Sequence, residues 1–205
     1  MSMQQIGRRR RRPKHQWSTT EGTKRSILDA ARTIFAKHGF GDANVAEVVE
    51  LAGSSIGSLY HHFGGKAEVF VALWERYDEG QQALVEDAVA QAGDNRWDAF
   101  LAACKVLLES AWESRDLVRI FAEGDSPAGF VRELADKRKA QVTDLLKDLR
   151  PADDGYARAV VLTLSSALAE GRREIARSRS AADAKKLAAN MLRVIGELRP
   201  LVKLR

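Results

Sequence analysis

Apolar residues recur along this chain at intervals of three and four, and most glycines and prolines fall at the joints between those runs. That period marks amphipathic helices, and no stretch shows the alternation of a half-buried strand. The first run, residues 20–38, puts Ile27, Ala31, Ile34, Phe35 and His38 on one face, and Gly39 and Gly41 end it. Asn44 opens a short helix with Val45, Val48, Val49 and Ala52 as its apolar face. With Glu47 it forms a capping-box-like pair, each side chain able to satisfy an orphan amide in the other's turn. Gly53 stands where a chain leaves a helix through left-handed φ. Ser55 caps a third helix, whose Leu59 and Phe63 point one turn apart into the same core. Gly64 and Gly65 close it, and a long helix follows over residues 66–91.

Further on, Asp94 is the expected cap of a helix carrying Trp97, Phe100, Leu101, Cys104, Leu107, Leu108, Ala111 and Trp112 on one face. Ser114 starts a short helix with Leu117, Ile120 and Phe121. Ser126 followed by Pro127 reads as an N-cap with proline at the first helical position. That helix is expected to reach residue 149, ahead of Pro151. Another runs from Asp153 or Asp154 to about residue 179. Ser180 with Asp183 caps the last, which stops at Pro200. The expected fold is all-α, with about nine helices.

Charge changes the picture by its position. Residues 1–66 hold 11 Lys and Arg against 5 Asp and Glu, while the rest hold 22 against 23. All the positive excess therefore sits in the first third, as a phosphate-binding head on a near-neutral body requires. Composition alone leaves a basic tail without a role equally open. Arg8, Arg9, Arg10, Arg11 and Arg12 precede Pro13 in a segment without periodicity, so residues 1–17 are expected to form a flexible basic arm. That arm has no apolar stretch behind it and does not read as a secretory signal. No apolar run reaches the length of a membrane span. A single cysteine, Cys104, allows neither an intrachain disulfide nor a thiolate zinc site, and a reducing cytoplasm is the expected location.

Two short helices joined by a tight glycine-containing turn make a helix-turn-helix, here at residues 44–63. The second helix enters a major groove while the first braces it across the backbone. Leu59 and Phe63 lock that second helix to the core, which leaves Ser55, Ile56, Ser58 and His61 on the opposite face.

The run Thr23-Lys24-Arg25-Ser26-Ile27-Leu28-Asp29-Ala30-Ala31 is followed by Phe35, Gly39-Phe40, Val45, Val48, Ala52-Gly53, Ser55 and Gly57. Leu59-Tyr60-His61-His62-Phe63 and Lys66 complete a pattern that resembles the TetR (tetracycline-repressor-like) family over the first third of the chain. The resemblance implies that Tyr60, His61 and Lys66 hold phosphates. It implies the same for Asn44, at a position where the family usually has Thr or Ser. Ser55, Ile56, Gly57 and Ser58 would face the bases. Ser54 and Ile56 depart from the pattern, which favours a small apolar residue at the first position and often a polar or basic one at the second. The implied organisation is the arm (1–17), a DNA-binding domain (18–65) and a ligand-binding and dimerisation domain (66–205). The implied partners are a pseudo-palindromic double-stranded DNA operator, a small effector and a second copy of the chain.

Trp74, Tyr77, Trp97, Phe100, Cys104, Trp112, Phe121 and Phe130 are candidates to line an effector cavity, which would suit a partly apolar or aromatic ligand. The same rings at helical spacing also serve as plain core. Residues 157–171 are apolar on nearly all sides, as in a helix buried on both faces. By resemblance the last two helices form a dimer interface, through Leu164, Leu168, Gly171, Ile175, Leu187, Met191, Val194 and Leu198.

An enzyme with an accessory DNA-binding head is the main alternative class, and the body leaves it carboxylate chemistry alone, to which no motif points. All four histidines, His15, His38, His61 and His62, lie in the first third, and no glycine-rich phosphate loop or nucleophile elbow occurs. His61 and His62 are helix neighbours about 100° apart, so they do not converge on one metal. No cofactor is expected. The competing readings are an architectural DNA binder without sequence specificity, and a DNA-binding regulator without ligand control.

Overall fold

The computed structural model describes residues 14–122, 124–146 and 154–202. Among these are nine α-helices and no strand. α1 spans Lys14–Asp42, α2 Val45–Leu51, α3 Ile56–His62, α4 Lys66–Gln91 and α5 Arg96–Glu113. α6 spans Arg115–Ala122, α7 Phe130–Leu145, α8 Asp154–Ala176 and α9 Ala181–Glu197, and a single 3-10 turn, Arg199–Leu201, follows.

Three helix starts differ from the sequence reading. α1 begins at Lys14, inside the segment read as an arm and directly after Pro13, a residue compatible with a first turn whose amides have no helical acceptor. Gly39, at φ 74 and ψ 176, breaks the helical run where the sequence places its end, and a short helical segment follows it to Asp42. α5 is capped by Asn95, not Asp94: Asn95 Oδ1 accepts from the amides of Trp97 at 3.0 Å and Asp98 at 3.3 Å. Pro127 instead opens a turn, closed by the Phe130 amide on the Pro127 carbonyl at 3.1 Å, with Ser126 before it. Gly129, at φ 83, separates that turn from α7.

The buried residues form two clusters. One joins α1, α2 and α3 to the first half of α4, to α6 and to the start of α7, through Ile27, Phe35, Leu59, Phe70, Trp74, Phe121 and Phe130 among others. The second joins α5, α8 and α9 with the end of α7, around Trp97, Phe100, Leu108, Leu164 and Ile195. Tyr77 packs against both. The division drawn after residue 65 is therefore not a gap in the core, because α4 and α6 supply the floor of the N-terminal head.

Ion pairs reinforce this joint. Arg32 of α1 grips Asp116 of α6 with two bonds, at 2.5 and 2.8 Å, and Arg76 of α4 meets Asp29 of α1 at 2.9 Å. The hydrogen bond to Asp116 raises the Arg32 pKa, against the pull of burial. Burial alone would raise the Asp116 carboxyl, but the bond and charge of Arg32 outweigh it and the pKa is lowered. Gly41 lies at the same joint: a Cβ there would stand 2.9 Å from Asp125 Oδ2 in the α6–α7 loop, so a larger residue would push that carboxylate aside.

Candidate functional site

The helix-turn-helix is built by local capping. Asn44, extended at φ −99, accepts the Ala46 amide on Oδ1 at 2.9 Å and so uses its acceptor on the start of α2. Its NH2 takes no part in that cap and remains available as a donor. The reciprocal half of the expected capping box is absent, since Glu47 turns to His38 Nε2 at 3.4 Å. Gly53 takes φ 60, and the amides of Gly53 and Ser54 close on Glu50 and Val49 at 3.1 and 2.9 Å. The turn is thus shut by backbone bonds with serine at position 54. Ser55 Oγ accepts the Ser58 amide at 3.1 Å and fixes the first turn of α3.

α3 then divides cleanly. Leu59 is 1% exposed and locks the helix to the core, with Phe63 packed beside it. Ile56 and Tyr60 are 50% and 54% exposed, and Ser55, Gly57 and His61 lie on the surface with them. Ser58 is half-buried. A large aliphatic and a large aromatic side chain held outward on a two-turn helix offer contact area to a groove. The backbone at Gly57 lets a partner approach closely.

Lys66 is placed differently from the sequence expectation. Its ammonium donates to the carbonyls of Gly41 at 2.8 Å and Ala43 at 3.1 Å, and lies 4.8 Å from the centre of the Phe40 ring. It therefore braces the α1–α2 junction from the first residue of α4, with at most one N–H left for a phosphate. Arg8, Arg9, Arg10, Arg11 and Arg12 lie outside the described residues. His61 and His62 face each other edge-on at 5.1 Å, and no cluster of three potential metal ligands occurs among the described residues.

In the body, a cavity of about 480 Å³ opens between α4, α5, α7 and α8. Phe100 and Cys104 line it as expected. Trp74, Tyr77 and Phe121 border only a small adjoining space of about 40 Å³. Trp97, Trp112 and Phe130 line neither. Trp97 is buried behind Phe100, with ring centres 5.3 Å apart. Trp112 lies under the Arg115 guanidinium at 4.6 Å. Phe130 packs edge-on against Phe70 and Trp74 in the joint. Phe130 is held in the joint by edge-to-face packing, Trp97 lies in the core at a tilt to Phe100, and Trp112 is half-buried beneath a cation. Burial pushes the Cys104 thiol up to about 12, which disfavours the thiolate.

The cavity also contains polar residues absent from the sequence reading, Arg138, Gln141 and Arg172. A signal for them existed. Arg138 falls at the i, i+4 spacing of Leu134 and Val142, and Arg172 at that of Leu168 and Ala176, inside otherwise apolar stripes.

The expected dimer residues divide in two. Leu164, Leu168, Gly171 and Ile175 are buried within the chain. A Cβ on Gly171 would meet Met191 Cε at 2.9 Å and Leu108 Cδ2 at 3.3 Å, so this glycine serves internal packing against α5 and α9. Leu187, Met191 and Leu198 are half-buried against the second cluster. Val194 is 55% exposed, and the large apolar residues left outward on α8 are Tyr156 and Leu162. Among the described residues no helix is long and apolar enough to cross a membrane.

Comparison with known proteins agrees with this architecture. The family model for "Bacterial regulatory proteins, tetR family" matches residues 27–73. The HTH-type transcriptional repressor NemR of Escherichia coli is 31% identical over 156 residues, 75% of this chain and 71% of that protein. The HTH-type transcriptional repressor AcnR of Corynebacterium glutamicum is 41% identical over 63 residues, but these are 31% of this chain and only 33% of AcnR. The crystal structure of a TetR-family transcriptional regulator from Pectobacterium atrosepticum superposes with a TM-score of 0.61 at 23% identity, over 95% of this chain and 99% of that one. At that identity the likeness concerns the fold.

Proposed function

The chain belongs to the tetR family of bacterial regulatory proteins and is a DNA-binding transcriptional regulator, not an enzyme; from that premise we propose that it is a cytoplasmic repressor that binds a pseudo-palindromic operator as a homodimer and releases it when a small molecule occupies the body. The observation that carries the DNA-binding half is the division of α3, with Leu59 sealed in the core and Ser55, Ile56, Gly57, Tyr60 and His61 outward. Ile56 suits a thymine methyl, since an aliphatic side chain packs on that group and bonds no base edge. Tyr60, His61 and the Asn44 amide suit flanking phosphates. The arm at Arg8–Arg12 adds counterion release without sequence information.

Two copies must set their α3 helices roughly 34 Å apart to enter successive major grooves. The outward residues Tyr156 and Leu162 of α8 and Val194 of α9 are the apolar surface available for that pairing. The release half is supported by the shared core: α4 carries the floor of the head at one end and a wall of the cavity at the other. Movement of α4 on ligand binding alters the spacing of the two heads.

Selection of DNA fragments by the purified protein, followed by competition with unrelated DNA, tests the reading. A recovered palindromic site that outcompetes unrelated DNA by roughly a thousandfold or more supports it. Equal competition by any duplex would make the chain an architectural binder.

A further inference from the structure

Polar side chains interrupt apolar ladders at one level of the body. On α7 the buried residues Phe130, Leu134, Val142 and Leu146 leave position 138 to an arginine. On α8 the buried residues Val160, Leu164, Leu168 and Ala176 leave position 172 to another. On α4, Gln81 is buried one turn beyond Tyr77. Both arginines line the cavity. A guanidinium drawn into an apolar stripe destabilises the fold unless a counter-charge meets it.

The chain supplies Arg172 with neutral acceptors. Arg172 donates to Tyr77 Oη and, at 3.0 Å, to Gln81 Oε1. Its Nε is buried with no hydrogen-bond partner, as is the Nε of Arg173 beside it. Burial, then the charges of Arg172 and Arg173, lower the Arg138 pKa to about 10, and the opposing effects of Tyr77 and Asp78 offset this only in part. The acids along the cavity, Glu86 and Asp144, are solvent-exposed. Asp78, in the adjoining space, accepts from Gln82 at 2.7 Å. The opposite wall is apolar, with Val85, Phe100, Cys104 and Leu168.

We propose that this cavity takes an amphipathic anion, a carboxylate on an apolar chain or ring, with its head held between Arg138 and Arg172 and its body against Phe100 and Leu168. The proposal rests on the effector reading above and names the effector's chemistry. It also supplies the trigger. Arg172 ties α8 to Tyr77 and Gln81 of α4, so a carboxylate that engages Arg172 competes directly with the contact that holds the helix leading to the head.

The test is calorimetric titration of the full-length protein with decanoate and 4-phenylbutyrate, each against its primary amide, with decylamine as the reversed charge. Operator release is measured over the same concentrations. The acids are expected to bind roughly tenfold or more tighter than the amides, as charge-assisted hydrogen bonds require. Arg138→Met should erase that preference while Arg138→Lys retains part of it, and both variants should keep the wild-type melting temperature within a few degrees. Amides that bind as well as the acids would overturn the anion site, and if they also release operator the effector reading stands without it. Acids that bind through Arg138 yet leave operator affinity unchanged would support the anion site and overturn ligand control. Tighter binding of decylamine would overturn the proposal outright.

Discussion

In the head, the side chains that face outward on α3 and those that pack beneath it are separate residues. Leu59 packs while Ile56 and Tyr60 wait at the surface, and the core beneath them is apolar. In the body, the division fails at Arg138, Arg172 and Gln81, polar groups set among buried apolar ones. A head that reads a groove presents its chemistry to a partner arriving from solvent. A body that encloses a small molecule must carry its chemistry inside. The head can therefore be well packed without its partner, whereas the body holds partly desolvated guanidinium charge among apolar residues.

Leu59→Ala should give the largest effect, a loss of about 2–5 kcal/mol in urea unfolding, from lost burial and the cavity left behind. Its operator affinity should fall with it, because α3 loses its anchor. Stability within experimental error of wild type would mean that α3 is not fixed by its core side. Arg138→Met, at an equally regular ladder position, should in ligand-free protein leave stability unchanged or raise it by up to about 2 kcal/mol. A loss comparable to that of Leu59→Ala would erase the contrast between the two regions.

The joint lies between these extremes. Arg32 and Asp116 are 40% and 34% exposed, so Asp116→Asn should cost only about 1 kcal/mol at neutral pH. Because the Asp116 pKa is lowered in the folded protein, its contribution is complete above the unfolded carboxylate value of about 4 and disappears as pH falls through the folded one. Wild-type and variant unfolding curves should thus converge in acid. A gap that stays constant below pH 4 would show that packing, not charge, sets the cost.

The smallest effect belongs to Ile56. Ile56→Ala should leave unfolding within about 0.5 kcal/mol of wild type. Uracil substituted for thymine across the half-site should weaken wild-type binding at one position by on the order of 1 kcal/mol and the variant less. Insensitivity at every thymine would place Ile56 away from the bases.

Residues with few conformational choices were the legible ones. Asn44, Gly53, Ser55 and the pair Gly64-Gly65 marked the limits of α2 and α3, because caps and left-handed turns demand particular side chains. Legibility fell where two neighbours can do the same work. Asp94 and Asn95 are both good caps, and only Asn95 is used. Pro127 suits a turn as well as a helix start, and Gly129 decided between them. Aromatic residues misled for a different reason. A large ring lines a cavity or fills one, and helical spacing is identical in both cases. Trp97 and Phe130 fill space and Trp112 stacks at its edge, while the arginines that border the cavity look in sequence like any solvated charge apart from their place in an apolar stripe.

Cys104 has a consequence of its own. It is the sole cysteine, sits 1% exposed on the cavity wall, and keeps its proton at ordinary pH. A thiol so hidden reacts with an added disulfide reagent only during the moments when the body opens. The rate at which it is trapped thus counts openings of the body, and a ligand that fills the cavity should slow that clock without any label having been engineered into the chain.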